Sequence, residues 1–333
     1  MTVEALAQIT TLSEGASKAI EQFFKKVLQH EPEVLKDEDP EELHQMRVGM
    51  RRLRSAVAGF APAVKLPKEA NNKNIGKFSR CLGELRDLDV LGEALKNDYQ
   101  PILPPEEQAI LEKALGKLSK QRRRAFKEVR GILESSKYSK FKQALTVWLE
   151  HPQYEAIASL AITDVIPDLL LPQISELLLH PGWLVKAENP APETNNGSEV
   201  KAATNLTFED GEEEKLHDLR KQVKRVRYLM SLFTDFYGQT YDVYLQDMKA
   251  IQEHLGELQD SVVLEEFISN IYGHKLSKVL PTLSEKLNEN RLKHWQKWQL
   301  LQRRYSNPEI RQNFRSEIIN KCGKEKIGNS SKA

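Results

Sequence analysis

Apolar residues recur at intervals of three and four along most of the chain, which is the spacing of an amphipathic α-helix. Ile20, Phe23, Phe24 and Val27 form one such series, and another runs through residues 111–129. The strict alternation that indicates half-buried β-strands is poorly represented. The pattern therefore predicts an all-α protein. The predicted helices lie at about residues 11–30, 40–60, 68–98, 105–134, 138–150, 155–180 in pieces, 210–236, 239–272, 281–305 and 308–320.

The chain contains an internal repeat. The segment HQMRVGMRRLR at 44–54 recurs as HDLRKQVKRVR at 217–227, and LGELRD at 82–87 recurs as LGELQD at 255–260. Both pairs have the same offset of 173 residues (44 to 217 and 82 to 255), which indicates two tandem units. We predict a first half at residues 1–155 and a second half at 156–333, each with about four main helices, as in an antiparallel bundle.

The repeated helix carries a cationic stripe beside its apolar face. At about 100° per residue, the cations fall within one arc of about 80° and the apolar residues in the neighbouring arc. The first stripe consists of His44, Arg47, Arg51 and Arg54. The second stripe consists of His217, Arg220, Lys224 and Arg227. Because these charges border the buried face instead of opposing it, we expect them to line a cleft, whereas Arg52 lies outside the arc and should face water.

Phosphate groups are the ligands that such a stripe suits. The planar guanidinium group donates two parallel hydrogen bonds to phosphate, and several in a row could bind successive phosphates. Arginines held together without a partner repel one another, so the stripe should prefer to hold an anion. His44 and His217 can hydrogen-bond when neutral and add charge below about pH 6.5.

Carboxylates of the same bundle offer an alternative interpretation of the arginines. Both copies of the LGEL motif contain two acids that could neutralise the stripes. They are Glu84 and Asp87 in the first copy and Glu257 and Asp260 in the second. Asp87 and Asp260 are interpreted as positioning residues instead of catalytic ones. Gly83 and Gly256, in the same motif, are expected to let two helices approach closely.

A further cationic cluster, Arg122-Arg123-Arg124, lies on the fourth predicted helix. Helical spacing turns Arg122 inward and its two neighbours toward water. A solvated helix face is the alternative for all three arginines, and Arg122 is the one included among the candidate ligand-binding residues. Trp295 and Trp298 are three residues apart and are predicted to be core residues. A platform for stacking nucleic-acid bases is the alternative for this pair.

Composition restricts the function classes. The 333 residues include 49 basic and 48 acidic residues, a net charge of +1, which disfavours a general nucleic-acid-binding surface. Two cysteines give no disulfide framework, and the first residues do not resemble a signal peptide. Residues 157–179 are apolar but are interrupted by aspartate and proline, so no membrane span is predicted. The expected location is the cytoplasm.

Residues 186–214 have the composition of a flexible loop, which ends in the acidic run EDGEEE. The acids could favour the start of the next helix, because Asp210 and Glu213 have capping-box spacing. The alternative is that the loop competes with an anionic ligand.

The paired basic helices, each followed by LGELRD or LGELQD, resemble the CHAD family, the conserved histidine α-helical domain. The resemblance covers about residues 10–320 and implies two four-helix bundles related by a pseudo-twofold axis. It also implies a basic central cavity or pore that binds inorganic polyphosphate, an association with polyphosphate granules, and no established catalytic activity. A protein that coats granules and recruits granule-associated proteins is a further interpretation, compatible with polyphosphate binding. The implied ligand-binding residues are those of the two stripes. Gln259 stands where the first copy has Arg86, so this position is expected to contribute to ligand binding in only one half.

We therefore predict a non-enzymatic polyphosphate-binding protein with no cofactor, no metal site and no catalytic residues. An enzyme that hydrolyses phosphoanhydrides is one alternative, although the acids near the stripes lack a tight metal-ligand spacing. A nucleic-acid-binding protein is the other, since basic helices also follow nucleic-acid backbones.

Overall fold

The computed structural model describes residues 9–187, 206 and 208–320. Within these residues the chain is helical, and the only β contacts are two isolated bridges. The predicted all-α class is therefore confirmed. The chain divides into two compact units, with the boundary between Leu169 and Leu170.

The first unit is built from sequential antiparallel helices. Its helices are α1 (Leu12–Lys36), α2 (Pro40–Gly59), α3 (Asn72–Glu93, continued by a π-helical turn over Ala94–Tyr99), α4 (Pro105–Leu133) and α5 (Ser136–Glu150). Helix α1 packs on α2, α2 on α3 and α3 on α4. Asp39 caps α2 by accepting a hydrogen bond from the backbone N–H of Glu41 at 2.8 Å, and Pro40 occupies the first turn, as predicted.

Helix α1 is longer than the sequence predicted, because it continues through Pro32 to Lys36. Tertiary contacts stabilise the added turns. The carboxylate of Glu31 is buried and accepts hydrogen bonds from the hydroxyl of Tyr138 at 3.0 Å and from the ammonium of Lys142 at 2.5 Å. The periodicity of one segment cannot reveal such partners more than 100 residues away.

Helix α6 (Ile162–Leu178) crosses the boundary between the units. The helices of the second unit that follow are α7 (Glu212–Met230), α8 (Gln239–Tyr272), α9 (Leu276–Val279), α10 (Pro281–Ser306) and α11 (Pro308–Asn320). The long helix α8 contacts α7, α10 and α11. It therefore occupies the centre of this unit.

Aromatic rings fill the core of the second unit. Trp183 stacks on Trp298 with ring centroids 5.2 Å apart and on Tyr305 at 5.5 Å. Trp295 and Trp298 are 6% and 0% exposed. The predicted core role of both tryptophans is confirmed, and a base-stacking role is wrong because neither ring is accessible.

The start of α7 differs from the prediction. Gly211, with φ of 80°, is the N-cap, and Glu212 reaches back to accept a hydrogen bond from the backbone N–H of Glu209 at 2.9 Å. The capping box expected at Asp210 and Glu213 is therefore wrong, although acidic residues do fill the first turn. Of the predicted loop at 186–214, residues 188–205 and 207 lie outside the described residues. None of the described helices is long and apolar enough to span a membrane.

Candidate functional site

The first basic stripe lies along α2 beside the buried face of that helix. His44, Arg47 and Arg51 are half-buried, and Arg54 is exposed. The neighbouring arc is at most 4% exposed and consists of Leu43, Met46, Met50, Leu53 and Val57. Arg52 is exposed, and its guanidinium carbon lies 5.8 Å from the ring centroid of Phe23. The predicted difference between the stripe and Arg52 is confirmed.

Glycines on α3 make room for arginines of α2. A Cβ atom at Gly83 would lie 3.5 Å from Nε and 3.7 Å from Nη2 of Arg47. A Cβ atom at Gly76 would lie 3.1 Å from the guanidinium carbon of Arg54. The group that lies over Gly83 is thus a guanidinium, and the close approach of helix backbones expected from the sequence stays a prediction.

Polar side chains of α3 orient two of these arginines. Nη2 of Arg47 lies 3.4 Å from Oδ1 of Asp87, whose side chain is 72% exposed. Nε of Arg54 donates to Oδ1 of Asn72 at 3.0 Å. An ion pair this long and this exposed contributes little stability. Asp87 therefore positions Arg47 without strongly neutralising its charge. At Arg47, the alternative that carboxylates of the bundle neutralise the stripe is not supported.

Arg86 joins the first stripe. The sequence indicated that this position matters in one half, but Arg86 was not among the residues of the predicted stripe. Burial lowers the pKa of His44, and the charges of Arg86, Arg51 and Arg47 lower it further against the opposing effect of Glu41. The side chain of Arg86 is 14% exposed, and its Nη2 lies 3.6 Å from Oε2 of Glu93. Its Nε is buried without a hydrogen-bond partner in the described part of the chain. In the sequence, Arg86 is three residues after Gly83, which places both on the same face of α3.

The second stripe, on α7, repeats this geometry. Its four members, His217, Arg220, Lys224 and Arg227, are half-buried. Its apolar neighbours are at most 6% exposed and consist of Leu216, Leu219, Val223, Val226 and Met230. A Cβ atom at Gly256 would lie 3.5 Å from Nε and 3.7 Å from Nη2 of Arg220, the same distances as for Gly83 and Arg47. The two copies of the motif thus build the same arginine–glycine contact.

The second stripe also differs from the first. Gln259 of α8 occupies the position of Arg86 and hydrogen-bonds to His217. Burial lowers the pKa of His217, with Lys221 and Arg220 adding to the effect. Nη1 of Arg227 donates to the neutral side-chain oxygen of Gln252 at 3.1 Å. Both histidines are therefore neutral near pH 7 and surrounded mainly by cationic or neutral groups.

The family model of the CHAD domain matches residues 18–269, well over half of the chain. The chain belongs to the CHAD domain family. The resemblance drawn from the repeated motifs is thereby confirmed.

Solved structures agree on the CHAD fold. The crystal structure of the CHAD domain from the plant Ricinus communis is 22% identical, with 93% of this chain and 92% of that chain covered and a TM-score of 0.57. PptA from Streptomyces chartreusis is 12% identical, with 88% of this chain and 99% of that chain covered and a TM-score of 0.61. At these identities the likeness shows the fold. A comparison with curated proteins found no match.

Arg122 of this CHAD domain is bound by carboxylates. Its two Nη atoms each donate to Asp37 at 2.6 Å, and its Nε donates to Asp89 at 2.8 Å. These hydrogen bonds and the nearby negative charge raise the pKa of Arg122. The side chain turns inward as predicted, but it links α4 to α3 and to the end of α1. We therefore leave Arg122 out of the binding set proposed below.

Replacing Arg122 with alanine is expected to lower the free energy of unfolding by about 2 kcal/mol, because two partly buried aspartates lose their partner. Urea denaturation followed by circular dichroism measures this effect. Arg123→Ala and Arg124→Ala are matched controls on the same helix, since both side chains are exposed, and each should change stability by less than about 0.5 kcal/mol. Equal effects in all three variants would contradict the assigned ion-pair network.

A cavity of about 230 Å³ lies beside His217 in the second unit. Its floor is apolar and includes Leu216 and Leu258, and Gln259 lies at its edge. Arg291 also lines it and forms ion pairs with Glu213 at 3.6 Å and with Glu265 at 3.9 Å. The cavity thus has mixed charge, unlike the stripe beside it.

Proposed function

We propose that this CHAD domain binds inorganic polyphosphate without hydrolysing it, and that the two basic stripes provide the ligand contacts. The observation that carries the proposal is the repeated arrangement of half-buried cations beside the core, with Arg47 over Gly83 and Arg220 over Gly256 at the same distances. The occurrence of the same arginine–glycine contact in both units supports a binding role for these two guanidinium groups. The pseudo-twofold arrangement and the central cavity implied by the family stay predictions.

The spacing of the cations favours a regular polyanion. Successive members of each stripe are three or four residues apart, which corresponds to a rise of about 4.5–6 Å along the helix axis. A linear polymer of identical phosphate groups can contact one cation per turn without any need for base recognition. Guanidinium groups held partly out of water bind phosphate more strongly than exposed ones do.

Nucleic acid is less well supported as the ligand. The net charge is +1, so the cations that could follow a nucleic-acid backbone are concentrated in the stripes. Trp295 and Trp298, the candidates for base stacking, are buried. Sequence-tolerant binding of single strands usually depends on exposed aromatic rings together with a basic groove.

Titration of the full chain with long-chain polyphosphate at fixed salt, followed by calorimetry, tests the proposal. We expect saturable binding that single-stranded RNA displaces only at much higher phosphate concentration. Incubation with polyphosphate and Mg²⁺ should release no orthophosphate and should not shorten the chains. Displacement by RNA at equal phosphate concentration would overturn the ligand assignment, and released orthophosphate would overturn the non-enzymatic assignment.

In the cell, we propose that the protein is cytoplasmic and associates with polyphosphate granules, where it could meet other granule proteins. A fluorescent fusion should co-localise with stained granules and lose this localisation when the stripes are neutralised. An unchanged granule signal in the neutralised variant would show that the stripes are not what targets the protein.

A further inference from the structure

Two histidines of the second unit lie against each other. His254 of α8 and His294 of α10 have their Nδ1 atoms 3.2 Å apart, with ring centroids separated by 5.3 Å and ring planes at 63°. Both residues are half-buried. The two side chains come from helices that pack along each other, so their approach is fixed by the core of the unit.

The separation of the two nitrogen atoms matches that of two ligands on one metal ion. Imidazole nitrogens bind Zn²⁺ at about 2.0–2.1 Å, so two of them on a tetrahedral ion lie about 3.3 Å apart. Imidazole is also a preferred ligand of Ni²⁺ and Cu²⁺. The rings therefore need little movement to share an ion.

The surroundings of the pair favour a cation. Burial lowers the pKa of both histidines, so both are neutral near pH 7 and can offer a lone pair. Glu253 and Glu257 place negative charge near the rings, against the positive charges of Lys293 and Lys297. The amide of Asn290 donates to Oε2 of Glu257 at 3.3 Å, which holds this carboxylate in position.

We propose that His254 and His294 form a binding site for a divalent transition-metal ion of the Zn²⁺ class, which links α8 to α10. Within the described residues, no three histidine, cysteine or acidic side chains are arranged to hold a metal together. The protein thus supplies two nitrogen ligands, and water completes the coordination. In the metal-free form one ring donates its Nδ1 proton to the other. On binding, that proton moves to Nε2 of the same ring, so both Nδ1 lone pairs face the ion.

The site has a structural consequence for the stripe. Helix α8 also carries Gly256, against which Arg220 packs. An ion that ties α8 to α10 would stiffen the helix that supports the second stripe. The sequence alone does not indicate this pair, because the two histidines are 40 residues apart and share no recognisable motif.

Calorimetric titration of the untagged full chain with Zn²⁺ at about pH 7.5, in the absence of polyphosphate, tests the proposal. We expect one ion per chain and a rise of the thermal midpoint by about 2–4 °C. His254→Gln and His294→Gln should each weaken binding at least about tenfold, since glutamine cannot replace an imidazole ligand. His274→Gln changes an exposed histidine of the same unit and should leave binding unchanged.

A second measurement needs no variant. Cu²⁺ bound to the native chain should show two nitrogen ligands by electron paramagnetic resonance, and the Zn²⁺-dependent rise of the thermal midpoint should disappear at about pH 5, where protons compete for both rings. The proposal is overturned if Zn²⁺ does not bind at about pH 7.5, or if only one of the two histidine variants loses binding. These results are independent of whether the stripes bind polyphosphate.

Discussion

Replacing Arg47, Arg51, Arg220 and Lys224 with alanine is expected to weaken polyphosphate binding by about 100-fold or more. Each substitution removes a charge-assisted hydrogen bond and one positive charge from a half-buried stripe, and such bonds contribute more than neutral ones. Helicity should persist, because the apolar arc beside each stripe is unchanged. Titration at several salt concentrations measures the loss, and the salt dependence of the affinity should also become shallower.

The chain provides a matched control for this variant. Arg52, Arg123, Arg124 and Arg225 are exposed residues, and replacing these four with alanine removes the same amount of charge. Two of them directly follow stripe residues in the sequence, so Arg51 can be compared with Arg52 and Lys224 with Arg225. We expect the control variant to bind within a few-fold of the native chain. Equal losses in the two quadruple variants would mean that net charge, and not the stripes, determines affinity.

Polyphosphate affinity is expected to increase by about tenfold or more as the pH falls from about 8 to about 5. Burial and neighbouring cations lower the pKa of His44 and His217 in the free protein. A bound polyanion offsets those cations and raises the same pKa values, so binding takes up protons between the free and the bound pKa. The affinity for polyphosphate therefore increases as the pH decreases between the two pKa values. It becomes constant below the pKa that each histidine has in the free protein.

The groups that face each histidine determine this effect. The pKa of His44 is changed by Glu41, Arg47, Arg51 and Arg86. The pKa of His217 is changed by Asp218, Arg220, Lys221 and Gln259. Long-chain polyphosphate is the appropriate probe, because its internal phosphate groups remain ionised throughout this range.

The double variant His44→Gln, His217→Gln keeps neutral hydrogen-bonding side chains and should lose most of the pH dependence while it retains affinity near pH 8. Calorimetry in buffers of different ionisation enthalpy should show proton uptake by the native chain and little by this variant. If the double variant keeps the pH dependence, groups other than these two histidines take up the protons when polyphosphate binds.

Local patterns in the sequence predicted much of the site. The 3- and 4-residue spacing placed His44, Arg47 and Arg51 beside the buried arc of α2 and placed Arg52 in solvent, because both properties follow from position on a single helix. The common offset of the two motifs predicted the repeat. The motif also contained Arg86, one turn after Gly83, but a single helix does not show which residues a neighbouring helix will approach.

Contacts between helices were beyond these patterns. Arg122 has the same inward orientation that the spacing predicted, yet its partners are Asp37, the C-cap of α1, and Asp89 of α3. Gly83 and Gly256 could be assigned a packing role, but only the structure shows that arginine side chains occupy the space over them. The end of α1 was misplaced for the same reason, since Glu31 is stabilised by side chains of α5.

By itself the sequence determined that this chain is helical, that two motifs recur at one common offset and that each copy of the first motif places cations along the edge of a buried helix face. These are properties of spacing along one helix or of repetition along the chain. The tertiary structure decided that Arg122 is neutralised by carboxylates, that the two histidines of α8 and α10 meet, and that arginine side chains lie over Gly83 and Gly256. Such features depend on side chains that are distant in sequence and become neighbours when the helices pack.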